Sequence, residues 1–378
     1  MKNCGFHDIK KILVIKLRNI GDVLLAAPVF RPLKESFPEA QISALVNSGT
    51  EDVLRGNPLL DEIIVLDRNI KKLPKVKRYL QEALFLKKLR DVGFDMTVDL
   101  TGGDRAAVIS LVSGARFRLG WKDKKGFAGK QRFYTHLSEP EHKRHTVLQN
   151  LDVVKRWGII TGNLSVDFYV SDADMAFAKR VFEEAGAESH TKEIHIHPTS
   201  RWLFKCWKDE YMAQVVRWLL SKDCTVVFTS SPEKKELEKA RNILSLAGVH
   251  KNLIDLCGKT SIKQLGAISK MADLFFGVDS APMHIAAAVG TPVVALFGPS
   301  GAFHWGPWDN GWLASDFIYN QKNGTQKTGR HEVLQLDWDC IPCGKDGCKS
   351  SKISDCLYAI TPDTVINVLD KKLFEARK

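Results

Sequence analysis

No apolar run in the 378 residues approaches the roughly 18 to 20 needed to carry a helix across a bilayer, which excludes a spanning helix. The opening stretch, MKNCGFHDIKKILVIKLRNIGD, holds an apolar run too short and too charged for a secretory signal, so a cytoplasmic protein is expected. Zinc-finger, helix-turn-helix and aromatic-basic platform patterns are missing, which argues against nucleic acid as a partner. No G-x-G-x-x-G follows the first strand-like run of either half, which disfavours a tandem dinucleotide-dependent dehydrogenase. Internal repeats and low-complexity tracts are absent as well.

What is present is ordinary α/β material. With 44% hydrophobic and 26% charged residues the chain can bury real cores, and its length predicts two domains of about 150 to 200 residues each. Short β-branched runs at Lys10–Leu17, Gln41–Val46, Asp61–Leu66 and Asp95–Leu100 alternate with helical stretches. A second series occupies Lys192–Pro198, Cys224–Ser230, Asn252–Gly258, Ala272–Asp279 and Pro292–Gly298. Both predict crossover units on parallel sheets. A polar stretch near Ser165–Ala176 predicts the linker, and Thr361 followed by Pro362 predicts the start of a last amphipathic helix.

The net charge of +11 is concentrated between Arg68 and Arg90, where nine Lys or Arg face the single Glu82. Val76, Leu80, Ala83 and Leu84 recur there at helical spacing, which predicts a basic amphipathic helix. It is either a solvated surface helix or a contact for anionic phosphate groups on a membrane or a substrate.

Tandem parallel-sheet domains bind ligands at the carboxyl ends of their strands, so the strand-to-helix turns are the places to look. In LRNIGDVLLAAP, Gly21 permits a tight turn and Asp22 opens a helix. Asp22 either complements the helix dipole or serves as a general base, with Lys16 and Arg18 beside it to bind an acidic acceptor. In HIHPTSRWLFKCW, the hydroxyls of Thr199 and Ser200 and the ammonium of Lys205 suit a diphosphate, the plainer alternative being a capped polar loop. In GVDSAPMHIAAAVGTPVVALFGPS, a buried strand ends on Asp279 and turns through Ser280, Ala281 and Pro282 into a helix carrying His284. Asp279 is expected to cap that helix or orient its amides, leaving the amides, Ser280 and His284 to face phosphates. A lone His on such a helix otherwise reads as a core residue.

These three segments, taken with CIPCGKDGC, resemble in order and over nearly the whole chain the ADP-heptose glycosyltransferases of the lipopolysaccharide inner core, and most closely the heptosyltransferase III type. Where types I and II have Thr or Ser followed by Gly after the strand-end acid, this chain has Ser280-Ala281-Pro282. The resemblance implies a GT-B fold of two Rossmann-like domains with parallel sheets facing a central cleft. It divides the chain into an acceptor-binding domain over 1–168, a donor-binding domain over 169–356, and a helix over 357–378 packing back on the first domain. The implied donor is ADP-L-glycero-β-D-manno-heptose and the implied acceptor a lipid A-linked inner-core oligosaccharide. Transfer would invert the anomeric centre without a cofactor or catalytic metal, at the cytoplasmic face of the inner membrane. By position Asp22 matches the family's base, with Lys16, Arg18 and Gly21 on the acceptor side. Thr199, Ser200 and Lys205 match its diphosphate loop, and Asp279, Ser280, Ala281 and His284 its second donor turn. Glu233 rather than Glu236 is chosen as the adenosine contact. Transferases of types I and II, another acceptor, and a non-catalytic nucleotide-sugar binder are the alternatives.

Of the eight cysteines, Cys4, Cys206, Cys224 and Cys257 are scattered and read as small core residues. Cys340, Cys343, Cys348 and Cys356 follow C-x2-C-x4-C-x7-C, open to reduced thiols, structural zinc or disulfides.

Overall fold

In the computed structural model, which describes residues 5–122, 126–184, 192–311 and 318–374, the β-branched runs form the buried strands of two sheets. The chain divides into two units, Met1–Asp167 and Phe168–Lys378.

The first unit holds β1 (Lys11–Lys16), β2 (Gln41–Asn47), β3 (Glu62–Leu66), β4 (Met96–Asp99), β5 (Phe117–Trp121) and β6 (His136–Ser138). They lie in the order β3-β2-β1-β4-β5-β6, every pair parallel. β1 is central and, apart from Lys11, buried throughout. Its Leu13 and Ile15 pack with Leu45, Leu66, Leu89 and Phe94 in one core cluster. The order reverses between β1 and β4, so the crossover helices on the two sides diverge and leave a crevice at the carboxyl ends of those strands.

The second unit holds β7 (Glu193–His197), β8 (Thr225–Phe228), β9 (Leu253–Asp255), β10 (Leu274–Val278), β11 (Val293–Leu296), β12 (Gln326–Thr328) and β13 (His331–Leu334). Their order is β12-β13-β11-β10-β7-β8-β9, parallel except for the β12–β13 hairpin. The reversal falls between β7 and β10. These two strands approach so closely that a Cβ at Gly277 would lie 2.6 Å from the carbonyl oxygen of His197.

The last helix, Pro362–Leu373, is capped by Thr361, whose hydroxyl accepts the Thr364 amide at 3.3 Å. Val365 and Leu369 of this helix are fully buried in the second unit's core beside Val216 and Leu219.

Candidate active site

Both reversal points carry the residues singled out from the sequence. In the first unit β1 ends at Lys16 and a short helix, Ile20–Leu24, follows with Gly21 and Asp22 in its first turn, both half-buried. Thr101, just beyond β4, accepts the Leu17 amide at 2.8 Å and ties the two strand ends together. Arg18 is exposed and donates to the Thr101 carbonyl at 3.1 Å.

Lys16 is placed otherwise than expected. It is buried, and its ammonium donates to the Leu100 carbonyl and to Asn150 Oδ1, each at 2.9 Å. Burial lowers its pKa to about 8, against the pull of the Asp22 carboxylate. The expectation that Lys16 binds an acceptor is therefore corrected: it braces the strand end and faces Asp22 electrostatically.

Beside Arg18 a cavity of about 300 Å³ opens at the carboxyl ends of β1, β2 and β4. Arg18, Arg68, Lys71 and Arg105 line it together with Asp104 and Thr101. Its excess of positive charge suits an anionic group. Arg68 and Lys71 were visible in the sequence only as part of a charge run, and nothing there joined them to Arg105.

In the second unit Lys205 follows β7 and Asp279 follows β10. Lys205 Nζ donates to Asp279 Oδ2 at 2.6 Å. The expected helix-capping role of Asp279 is thus corrected, because its carboxylate is committed to a lysine. Ser280 takes the N-cap position of the helix Ala281–Ala288 without a side-chain cap bond. Ser280 Oγ and His284 Nδ1 are buried without a hydrogen-bond partner among the described residues. Burial lowers the pKa of His284 to about 4, so at neutral pH it offers a neutral ring rather than a cation. A lysine, uncapped helix amides and two unsatisfied polar atoms form a constellation that an anionic ligand completes.

Thr199 and Ser200 are buried. Thr199 Oγ1 donates to Glu236 Oε2 at 2.8 Å, and Ser231 Oγ donates to Glu236 Oε1 at 2.7 Å. Ser200 Oγ accepts the Trp202 amide at 3.3 Å. Both hydroxyls hold the loop in shape. Behind them Thr229 Oγ1 is hydrogen-bonded to His195 and His197 at 2.8 and 2.9 Å, and burial keeps both rings neutral. Sequence reasoning missed this network because its members sit on separate strands and turns. Glu233 is exposed at the N-cap of the helix Lys234–Ala247, whereas Glu236 is buried in its first turn.

Cys340 and Cys343 are exposed, Cys348 is partly covered and Cys356 is buried, all as free thiols. Burial, reinforced by Cys348, Cys343 and Cys340, raises the Cys356 thiol to about 11. The Cys343 and Gly344 amides donate to the Pro299 carbonyl at 3.1 and 3.0 Å, clasping the turn after β11. Among the described residues no group of three or more His, Cys, Asp or Glu is arranged to hold a metal. Cys206, Cys224 and Cys257 are buried, and Cys4 lies outside the described residues.

Two Rossmann-like sheets, each with a polar site at its reversal point, define a two-domain nucleotide-binding architecture. The fold matches a glycosyltransferase family 9 structure from Veillonella parvula with a TM-score of 0.76 at 20% identity, covering 97% of this chain and 98% of that one. It matches the structure of E. coli ADP-heptose lps heptosyltransferase II with a TM-score of 0.73 at 20% identity, covering 97% and 99%. Both likenesses define the GT-B class of fold. In sequence, lipopolysaccharide heptosyltransferase 3 of Escherichia coli is 33% identical over 310 residues, 77% of this chain and 83% of that protein. The profile of glycosyltransferase family 9 (heptosyltransferase) matches residues 83–333, and the chain belongs to this family.

Proposed function

We propose that this glycosyltransferase moves L-glycero-D-manno-heptose from ADP-heptose to the lipopolysaccharide inner core, as a heptosyltransferase of type III, inverting the anomeric centre without a catalytic metal. The observation that carries the donor assignment is the Lys205–Asp279 pair beside the unpartnered Ser280 Oγ and His284 Nδ1 at the start of the helix Ala281–Ala288. Family membership and the similarity to lipopolysaccharide heptosyltransferase 3 support the choice of sugar and acceptor.

In this reading Asp22 accepts the proton of the attacking acceptor hydroxyl as its oxygen forms a bond to the anomeric carbon. The bond from that carbon to the ADP phosphate oxygen breaks on the opposite face, and ADP leaves with the electron pair. Lys205, the Ser280 hydroxyl and the helix amides carry the charge that grows on the departing diphosphate. Thr199, Ser200 and Ala281 shape the phosphate cradle, and exposed Glu233 is the adenosine contact. Gly21 and Arg18 lie on the acceptor side, in the first domain. The basic surface of the chain suits work on a lipid-linked acceptor at an anionic membrane, at the cytoplasmic face.

Transfer from ADP-heptose to cores truncated at successive heptoses, read by ADP release and acceptor mass, tests the proposal. Product only on cores already bearing two heptoses supports type III. Product on a heptose-free or one-heptose core points to types I or II, and tight donor binding without product on any core overturns the core-acceptor reading in favour of another acceptor or a non-catalytic binder.

A further inference from the structure

The helix Lys75–Val92 has apolar residues on two opposite faces. Phe85, Leu86, Leu89 and Val92 pack into the first unit's core, where Leu89 is fully enclosed. On that side Glu82 also pairs with Arg105 at 3.3 Å. Val76, Tyr79, Leu80 and Leu84 point the other way and are 81, 59, 59 and 57% exposed. Their spacing of i, i+3, i+4 and i+8 makes one continuous stripe on the outside of the helix.

An ordinary surface helix has charge where this one has Val, Tyr and Leu. Sequence periodicity alone would assign Val76, Leu80 and Leu84 to the core; the structure gives that task to Phe85 and Leu89 and leaves the first set in water. Cations border the stripe: Lys77 and Lys88 flank one side, Lys75 and Arg90 the other, and Lys87 lies at its carboxyl-terminal end, all exposed. The preceding turn, Arg68–Lys72, adds exposed Arg68, Lys71 and Lys72. Apolar side chains rimmed by ammonium and guanidinium groups match the boundary of an anionic bilayer, where acyl chains lie beneath phosphates.

We infer that the outer face of the helix Lys75–Val92 inserts into an anionic lipid surface, with Val76, Tyr79, Leu80 and Leu84 among the acyl chains and the surrounding lysines at the headgroups. The inference rests on the reading of this chain as one that works on a lipid-linked acceptor, and it adds hydrophobic insertion to mere charge attraction. The cations bring the helix to the surface and the stripe retains it there. Salt screens the first effect and leaves the second largely intact.

The test is flotation of the full chain with vesicles of phosphatidylcholine alone and of phosphatidylcholine mixed with phosphatidylglycerol, in low salt and at about 0.15 M. Wild-type protein is expected to float with the anionic vesicles under both conditions and to ignore the neutral ones. Val76→Ser/Leu80→Ser/Leu84→Ser is expected to weaken binding at about 0.15 M salt by at least tenfold while sparing transfer to a delipidated core oligosaccharide. Val76→Trp is expected to tighten it and guards against misreading a folding defect. Equal binding by the triple-serine variant and wild type at that salt overturns insertion, as does equal binding to neutral vesicles. A wild-type dimer that the triple-serine variant breaks would assign the stripe to a second copy and overturn the inference too. Transfer to the soluble oligosaccharide is scored separately: its loss in wild type counts against the proposed function, whereas lost flotation with transfer intact counts against the lipid surface alone.

Discussion

Replacing Lys205 by Met asks whether its ammonium serves the fold or the reaction. Nζ lies 2.6 Å from Asp279 Oδ2, with 21% of the lysine side chain and 7% of the aspartate side chain exposed. The substitution strands a carboxylate that is nearly out of water. Breaking a fully buried pair costs about 3–5 kcal/mol, and the water that reaches Lys205 reduces the expected loss to about 1–3 kcal/mol. Lys205→Met/Asp279→Asn removes the stranded charge and is expected to recover most of that stability. Catalysis responds differently. A hydrogen bond from an ammonium to a phosphate oxygen contributes about 1.5–3 kcal/mol, so ADP affinity is expected to fall about 10- to 100-fold in the single variant. Turnover falls further, because charge grows on the diphosphate as the bond to the sugar breaks. In the double variant stability returns and neither ADP binding nor turnover does. Urea unfolding, calorimetric ADP titration and steady-state ADP release separate the two effects. Recovery of wild-type turnover in the double variant would refute a role for Lys205 at the phosphates and reduce it to a counter-ion of Asp279.

Asp22→Ala is expected to lower transfer by at least about 100-fold while leaving ADP affinity within a factor of about two, since in the proposed mechanism Asp22 acts only on the acceptor; near wild-type turnover would remove Asp22 from the mechanism. Arg105→Ala is expected to raise the acceptor KM several-fold and flatten its salt dependence without altering ADP affinity; an unchanged KM would mean that the basic cavity is not an acceptor subsite. Thr199→Val strips Glu236 of one of its two hydroxyl donors and is expected to cost about 1–3 kcal/mol in urea unfolding; an unchanged midpoint would show that the loop does not depend on that bond. Stability is also expected to fall in mild acid. Burial holds His195 well below its ordinary range, His197 and His331 at about 3 and His284 at about 4. The unfolded chain takes up these protons near pH 6.5, so the four neutral rings cost nothing above that pH. Stability drops as the pH falls toward 4, by up to about 1.4 kcal/mol per histidine per pH unit. A urea midpoint unchanged between pH 7.5 and about 5.5 would contradict this.

The strands most legible in the sequence are the central ones, buried on both faces. LVI in β1 and VVF in β8 are runs that only a covered parallel strand explains, and all nine expected segments became strands within a few residues of their predicted limits. The four unforeseen strands lack that signal. β5 reads FRLGW, β6 is three residues long, and β12 and β13 are polar, with Glu332 buried and paired to Lys327 and Lys372. β6 and β12 lie at sheet edges, and all four are selected by their neighbours rather than by their own composition. The helix Lys75–Val92 shows the opposite failure. Its apolar spacing was plain, yet periodicity reports that a stripe exists and cannot say which of two stripes the core takes.

The same distinction governs the site. Asp22, Lys205, Asp279 and Ser280 were legible because each sits at a strand-to-helix turn, and the order of a parallel sheet forces such turns to its carboxyl edge. Pairing was not legible, because Lys205 and Asp279 are 74 residues apart and meet only once β7 and β10 lie side by side. That meeting also explains an acid in a proposed phosphate site. Alone, Asp279 would repel a diphosphate; paired at 2.6 Å, it anchors a long, flexible ammonium in one place and gives up its own field in doing so. Lys16 illustrates the converse. A cation beside a turn looks available for binding in one dimension, and a carbonyl and an amide brought by β4 and a later helix then claim it. Residue type and turn position therefore locate the candidate groups, whereas the sheet order decides which of their charges remain free for a ligand.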